Sequence, residues 1–135
     1  MVQGTQRFRT TAVLALALLL PACSSGAKAD PEGWAAALEE VPGVTSAEAD
    51  FGKYGAGYQS DVVVRTDTND YAELEKILRE SVTVFVDVTA DMDTFSVHFK
   101  VGNADGTRAL YPEAIGWNTS PITFLREDVA AASGD

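Results

Sequence analysis

Two residue types that commonly do chemistry occur once each in this chain, as Cys23 and His98. His98 stands on the polar side of an alternating run in which Phe95, Val97, Phe99 and Val101 take the apolar side. Nucleophilic catalysis would need it beside a hydroxyl and an orienting acid. Several serines could serve, but none sits on a Gly-x-Ser-x-Gly elbow, and the acids considered as partners are Asp105 and Glu113. A solvent-facing strand position explains the residue as well. Zinc takes three or four His, Cys or carboxylate ligands, which a single histidine cannot anchor. Asp91 with Asp93, and Asp67 with Asn69, have the opening spacing of a calcium loop, but the first lacks the later glycine and glutamate and the second runs into a helix. Turn and cap duties account for both pairs, so no metal and no cofactor are expected. Gly52 to Gly57 is glycine-rich, but a strand follows it where a phosphate loop needs a helix. Tyr54, Tyr58 and His98 are the candidates for contact with a partner, Tyr54 first because it stands in that glycine-rich turn. Trp34 falls on an apolar helix stripe and is expected in the core.

Cys23 has a different setting. Met1 to Arg9 carries Arg7 and Arg9 and no acid, and Thr10 to Leu20 is apolar after its two threonines. That run is too short to cross a hydrocarbon core, which takes about 20 helical residues, but it suits a secretory signal. Leu20-Pro21-Ala22-Cys23 resembles the lipobox of bacterial lipoproteins, with Leu three places before the cysteine and Ala directly before it. The resemblance covers about the first 26 residues. It implies a diacylglyceryl group on the Cys23 thiol and cleavage between Ala22 and Cys23, which leaves a new amino group open to acylation as well. Two or more acyl chains hold a protein stably at a membrane where one chain does not. Arg7-Phe8-Arg9 is not a twin-arginine pair, which favours the general secretory route. Lipidation would also explain a lone cysteine in an exported chain without a disulfide framework.

The whole chain has a formal net charge of −10; without Arg7 and Arg9 eight bases face 20 acids, a balance of −12. This argues against nucleic acid, whose binding proteins neutralise phosphates with Lys and Arg. It also argues against adhesion to anionic headgroups, so attachment would rest on the acyl chains.

The elements follow from pattern. Residues 1–22 read as the signal, 23–29 as lipidated cysteine and tether, 30–125 as one small domain and 126–135 as a disordered acidic tail. Asp30, Pro31 and Glu32 start a helix that Pro42-Gly43 ends. Val44 to Phe51 and Tyr58 to Thr66 form a hairpin around the glycine-rich turn. Asp70 and Glu73 resemble a capping box opening a second helix. From Val82 to Thr89 the residues fit both a strand alternation and one helical stripe with Leu74, Leu78 and Phe85. No Gly, Pro or Asn ends the helix at Arg79, which favours a single helix of about Asp70 to Val88. Phe95 to Val101 is a strand that turns through Asn103 to Gly106 and pairs with Arg108 to Tyr111. Pro112 to Ile115 makes a helical turn, and Ile122 to Leu125 a last edge strand.

The expected fold is α+β in the order α-β-β-α-β-β: two helices on one face of an antiparallel sheet of about four strands, similar to the ferredoxin-like plait in general make-up. The stretch from Val41 to Thr66 resembles uncharacterised small lipoproteins of high-GC Gram-positive bacteria, which implies no activity. Three functions are consistent with these residues: a non-catalytic envelope lipoprotein that binds a protein or ligand outside the cytoplasmic membrane, a small envelope enzyme using His98 with a carboxylate, and a structural spacer.

Overall fold

The structure, a computed structural model, describes residues 28–133. The signal, the lipobox and Cys23 lie outside the described residues. Helix α1 (Pro31–Glu39) starts where expected: the Asp30 carboxylate accepts the Gly33 N–H at 3.1 Å and Pro31 follows at the first helical position. Trp34 and Leu38 are its buried residues. Gly43 then turns the chain at φ +94°, and a Cβ there would lie 2.7 Å from Ile77 Cδ1, so glycine is required on both backbone and packing grounds.

Strand β1 (Val44–Ala49) runs antiparallel to β3 (Gly57–Thr66), with Ala49 opposite Val62. The short β2 (Gly52–Tyr54) pairs with the lower part of the same strand, so β1 and β2 together make one broken edge. The break is stitched by Asp50, whose side chain accepts the Asp61 N–H at 2.9 Å and whose carbonyl accepts the Ser60 hydroxyl at 2.6 Å.

Helix α2 (Tyr71–Val88) is the single long helix expected. The Asp70 carboxylate accepts the Glu73 N–H at 3.1 Å, and Leu74, Ile77, Leu78, Ser81, Val82 and Phe85 are buried. The valine alternation loses to this stripe, which extends into Thr89: its buried hydroxyl donates to the Phe85 carbonyl at 2.7 Å. Asp70→Ala should lower stability by about 0.5–2 kcal/mol through loss of the cap, whereas Asp70→Asn should recover most of it. Thermal unfolding of the two variants checks this.

Strand β4 (Ser96–Gly102) departs from expectation. It runs parallel to β3, from Gln59 beside Ser96 to Arg65 beside Gly102. The sheet is therefore mixed rather than antiparallel. The cause is α2: its 18 residues span about 27 Å, enough to carry the chain back to the start of β3. A return to that end gives a parallel neighbour, and a helix is the usual crossover. Strand β5 (Ala109–Leu110) pairs antiparallel with β4 through Val101–Leu110 and Gly102–Ala109, as expected. The order across the sheet is β1-β3-β4-β5, with β2 also on β3.

The 3-10 turn Pro112–Ile115 ends at Gly116, φ +82°. Beyond it the chain forms a third helix, α3 (Ile122–Ser133), where an edge strand and a frayed tail were expected. Ile122, Leu125 and Val129 are its buried stripe, and Arg126 donates to the carbonyls of Thr89 (2.9 Å) and Met92 (3.0 Å) at the exit of α2. Both carbonyls lie in the turn that leaves α2, where the Thr89 carbonyl also accepts the Met92 N–H at 3.0 Å, so one guanidinium fastens α3 to that turn at two points. The alanines of 130–132 then favour helix by propensity.

The result is an α+β domain of three helices and five strands among the described residues. Its core is aromatic: Phe85 is fully buried, with ring centroids 5.6 Å from both Trp34 and Phe99 and 6.4 Å from Phe95. These rings meet between the helices, which supply Trp34 and Phe85, and the inner face of the sheet, which supplies Phe99 with Phe95 just before it. On the outer face Asp61, Arg65, His98 and Lys100 are exposed and Val63 is half-buried. No helix among the described residues is long and apolar enough to cross a membrane.

Candidate functional site

Strand pleat places odd-numbered β3 residues and even-numbered β4 residues on the outer face. The parallel register sets Asp61 beside His98, and His98 Nδ1 lies 3.1 Å from Asp61 Oδ1. The Nδ1–H form of the ring donates to that carboxylate, and Gln59 Nε2 donates to the same oxygen at 3.2 Å. Both side chains are open to water, His98 at 69% and Asp61 at 50%. Screening keeps such a pair to a fraction of 1 kcal/mol, in the usual surface range of about 0–1 kcal/mol.

The enzyme reading paired His98 with Asp105 or Glu113, and the structure corrects that choice. Asp105 lies in the turn after β4, its N–H donating to Asn69 Oδ1 at 3.2 Å, and Glu113 accepts the Thr119 hydroxyl at 3.1 Å. The acid at His98 is Asp61, placed there by the parallel pairing that the sequence reading missed. An Asp–His pair can orient a general base. Among the described residues, however, the side chains within hydrogen-bond distance of the ring are Asp61 and Gln59, neither a nucleophile.

The three contact candidates do not form one patch. Tyr54 is 72% exposed, and its register with Gly57 puts it on the outer face, where it shares a hollow of about 260 Å³ with Gln59 and Asp61. His98 joins that end of the face through Gln59. Tyr58, half exposed, stacks on Phe51 with centroids 5.4 Å apart, and Phe51 meets the Trp34 ring edge-on. Tyr58 therefore extends the helix side of the sheet. Trp34 is in the core, as expected.

A second outer-face feature had no counterpart in the sequence reading. Arg65, Lys100 and Arg108 line a cleft of about 600 Å³ over Gly102 at the far end of β3 and β4. Its signal was the outward alternation of Arg65 and Lys100, legible only once the two strands are known to be neighbours. Among the described residues no group of three or more His, Cys, Asp or Glu gathers to hold a metal ion. Asp67 and Asn69 flank the start of α2, where Asn69 receives the Asp105 N–H.

No family model and no curated protein matches the chain. Among solved structures it is similar to the MamM CTD. One variant of that domain aligns at 16% identity and TM-score 0.43, covering 53% of this chain and 90% of the other. A second aligns at 18% and 0.43, covering 53% and 88%. A nickel form aligns at 16% and 0.43, covering 53% and 91%. A likeness at this level assigns neither family nor activity, and the chain's function has to be argued from its own residues.

Proposed function

We propose that the protein is a lipoprotein of the bacterial cell envelope, anchored outside the cytoplasmic membrane by acyl chains on Cys23, and that its small domain is a non-catalytic binding module. The lipobox-like Leu20 to Cys23 and the small, polar run Ser24 to Ala29 support the anchor. The observation that carries the binding role is the uncovered outer face of the sheet. In this mixed sheet that face is left without a covering layer among the described residues, and it holds the exposed Tyr54 and Tyr111 beside hollows that reach Asp61, His98 and Gly102. The partner end is Tyr54 with His98, and the partner is an envelope protein or a small ligand.

Photo-crosslinking tests this in the membrane-anchored chain. A crosslinking residue in place of Tyr54 should give a discrete adduct, whereas one in place of Phe124, exposed on α3, should give none. Equal labelling from both positions would contradict a dedicated face.

The enzyme reading keeps one observation in its favour, the 3.1 Å contact between His98 and Asp61. His98→Ala separates the two. A binding module should lose at most the small pair energy, within about 0.5 kcal/mol in an unfolding titration, and any hydrolytic activity of the purified chain should be unchanged. Abolished activity would establish the enzyme.

A further inference from the structure

We propose that the tip of the β2–β3 hairpin is a second membrane contact, in which Tyr58 and Lys53 enter the headgroup layer of the membrane that holds the acyl chains. This contact rests on the anchor read at Cys23. It uses the helix side of the hairpin, whereas Tyr54 stands on the outer face and is left to the partner proposed there.

Placement is the first argument. Helix α1 begins at Pro31, and aromatic rings run from its first turns to the hairpin. Trp34 lies edge-on to Phe51 with centroids 5.9 Å apart, and Phe51 stacks on Tyr58 at 5.4 Å. Ala29 packs against the same core. The chain therefore enters the domain at the end from which the hairpin projects. Cys23 precedes Lys28 by five residues, a reach of at most about 18 Å. An acylated Cys23 keeps that end of the domain close to the bilayer surface. The turn after β4 is at the opposite end, since the seven residues of β4 rise about 23 Å.

Composition is the second. The chain has 20 acids, yet the run from Phe51 to Ser60 has none and carries Lys53. The carboxylates that border it are turned away: Asp50 accepts the Asp61 N–H at 2.9 Å, and Asp61 meets His98 on the outer face at 3.1 Å. Lys53 lies opposite Tyr58 across the hairpin, and both are exposed. The helix side of the tip thus offers an aromatic ring with a wet hydroxyl, a group that settles at a membrane–water interface. Beside it is an ammonium that anionic headgroups attract. Glu32 in the first turn of α1, and Asp91 and Asp93 after α2, lie at the same end. Anionic headgroups repel them, which leaves the hairpin as the part that enters.

Pre-organisation is the third. Tyr54 pairs with Gly57 across a two-residue turn in which Gly55 has φ +61°. A tight tip of this kind has little freedom left to lose on docking. The anchor also makes the contact intramolecular, so a weak interaction is occupied at the effective concentration that a short tether supplies. The sheet then stands upright on the membrane, with its uncovered face turned sideways to envelope partners rather than down onto lipid.

The test is spin-label accessibility on the full, acylated chain in vesicles of phosphatidylethanolamine and phosphatidylglycerol. Ala56→Cys at the tip and, separately, Asp105→Cys in the far turn each carry one nitroxide, and both positions are exposed. Cys23, consumed as a thioether, takes no label. The label at the tip should be relaxed mainly by oxygen, which concentrates in lipid, and the label in the far turn mainly by a water-soluble nickel chelate. The oxygen-to-nickel ratio should be several-fold higher at the tip, and Tyr58→Ser should bring it down to the far-turn value. Equal ratios at the two positions, or a ratio that Tyr58→Ser leaves unchanged, would overturn the contact. Intact mass of the same sample separates the two claims. An unacylated chain overturns the anchor and this contact with it, whereas an acylated chain with a water-exposed tip overturns the contact alone.

Discussion

Phe85→Ala should lower stability by about 3–5 kcal/mol, the range for emptying a buried aromatic position. Phe85 has no exposed surface and touches the rings of Trp34, Phe95 and Phe99, so it joins α1, α2 and the inner face of β4 at one point. Edge-to-face contacts of this kind add about 0.5–1.5 kcal/mol per pair beyond area burial, and three are lost together. A domain of this size has only about 5–15 kcal/mol in all. The melting temperature should therefore fall by more than about 12 °C, or the chain should fail to fold at 37 °C. Near-ultraviolet circular dichroism reads the loss directly, because buried Trp34 and Trp117 report the packed core. Phe124→Ala, on the exposed side of α3, is the control and should change stability by no more than about 0.5 kcal/mol. A small effect at Phe85 would mean that the aromatic cluster is not the centre of the fold.

Cys23→Ser should abolish lipid labelling completely. Serine keeps the shape of the site but has no thiol to form a thioether. In cells fed labelled palmitate, the wild-type chain should carry label in the membrane fraction and the variant should carry none, whether it is released or retains its leader. The domain itself should be unaffected, because Cys23 lies before the helix that opens it. With a balance of −12 after the signal, nothing in the domain's charge would replace the lost chains at an anionic surface. A labelled variant would place the modification elsewhere.

Local structure was legible where residue type and position acted together. Asp30 and Asp70 marked two helix starts, Gly43 and Gly116 marked two stops, and the glycine-rich run Gly52 to Gly57 marked a hairpin, although Gly52–Tyr54 proves to be strand β2 and the turn narrows to Gly55 and Ala56. The Val82 to Val88 segment was ambiguous because β-branched alternation and a helical stripe coincide there. Phe85 resolves it: only a helix brings that ring under Trp34 while Leu78 and Val82 stay buried. Strand direction was not legible, since alternation carries no sense of direction and depends on how far α2 returns the chain. Both outer-face features depended on it. Asp61 meets His98, and Arg65 shares a cleft with Lys100, only in the parallel register. The last helix was hidden for another reason. Ile122, Leu125 and Val129 are too few to show a period until Arg126 is seen closing the end of α2.

The anchor is the claim on which the placement of the whole protein depends, and intact-mass measurement of the native chain extracted from membranes tests it most directly. The account predicts a polypeptide beginning at Cys23 and bearing a diacylglyceryl group, with or without an added acyl chain on its amino group. A chain with an unmodified Cys23 thiol, or one that begins at any other residue, would contradict it.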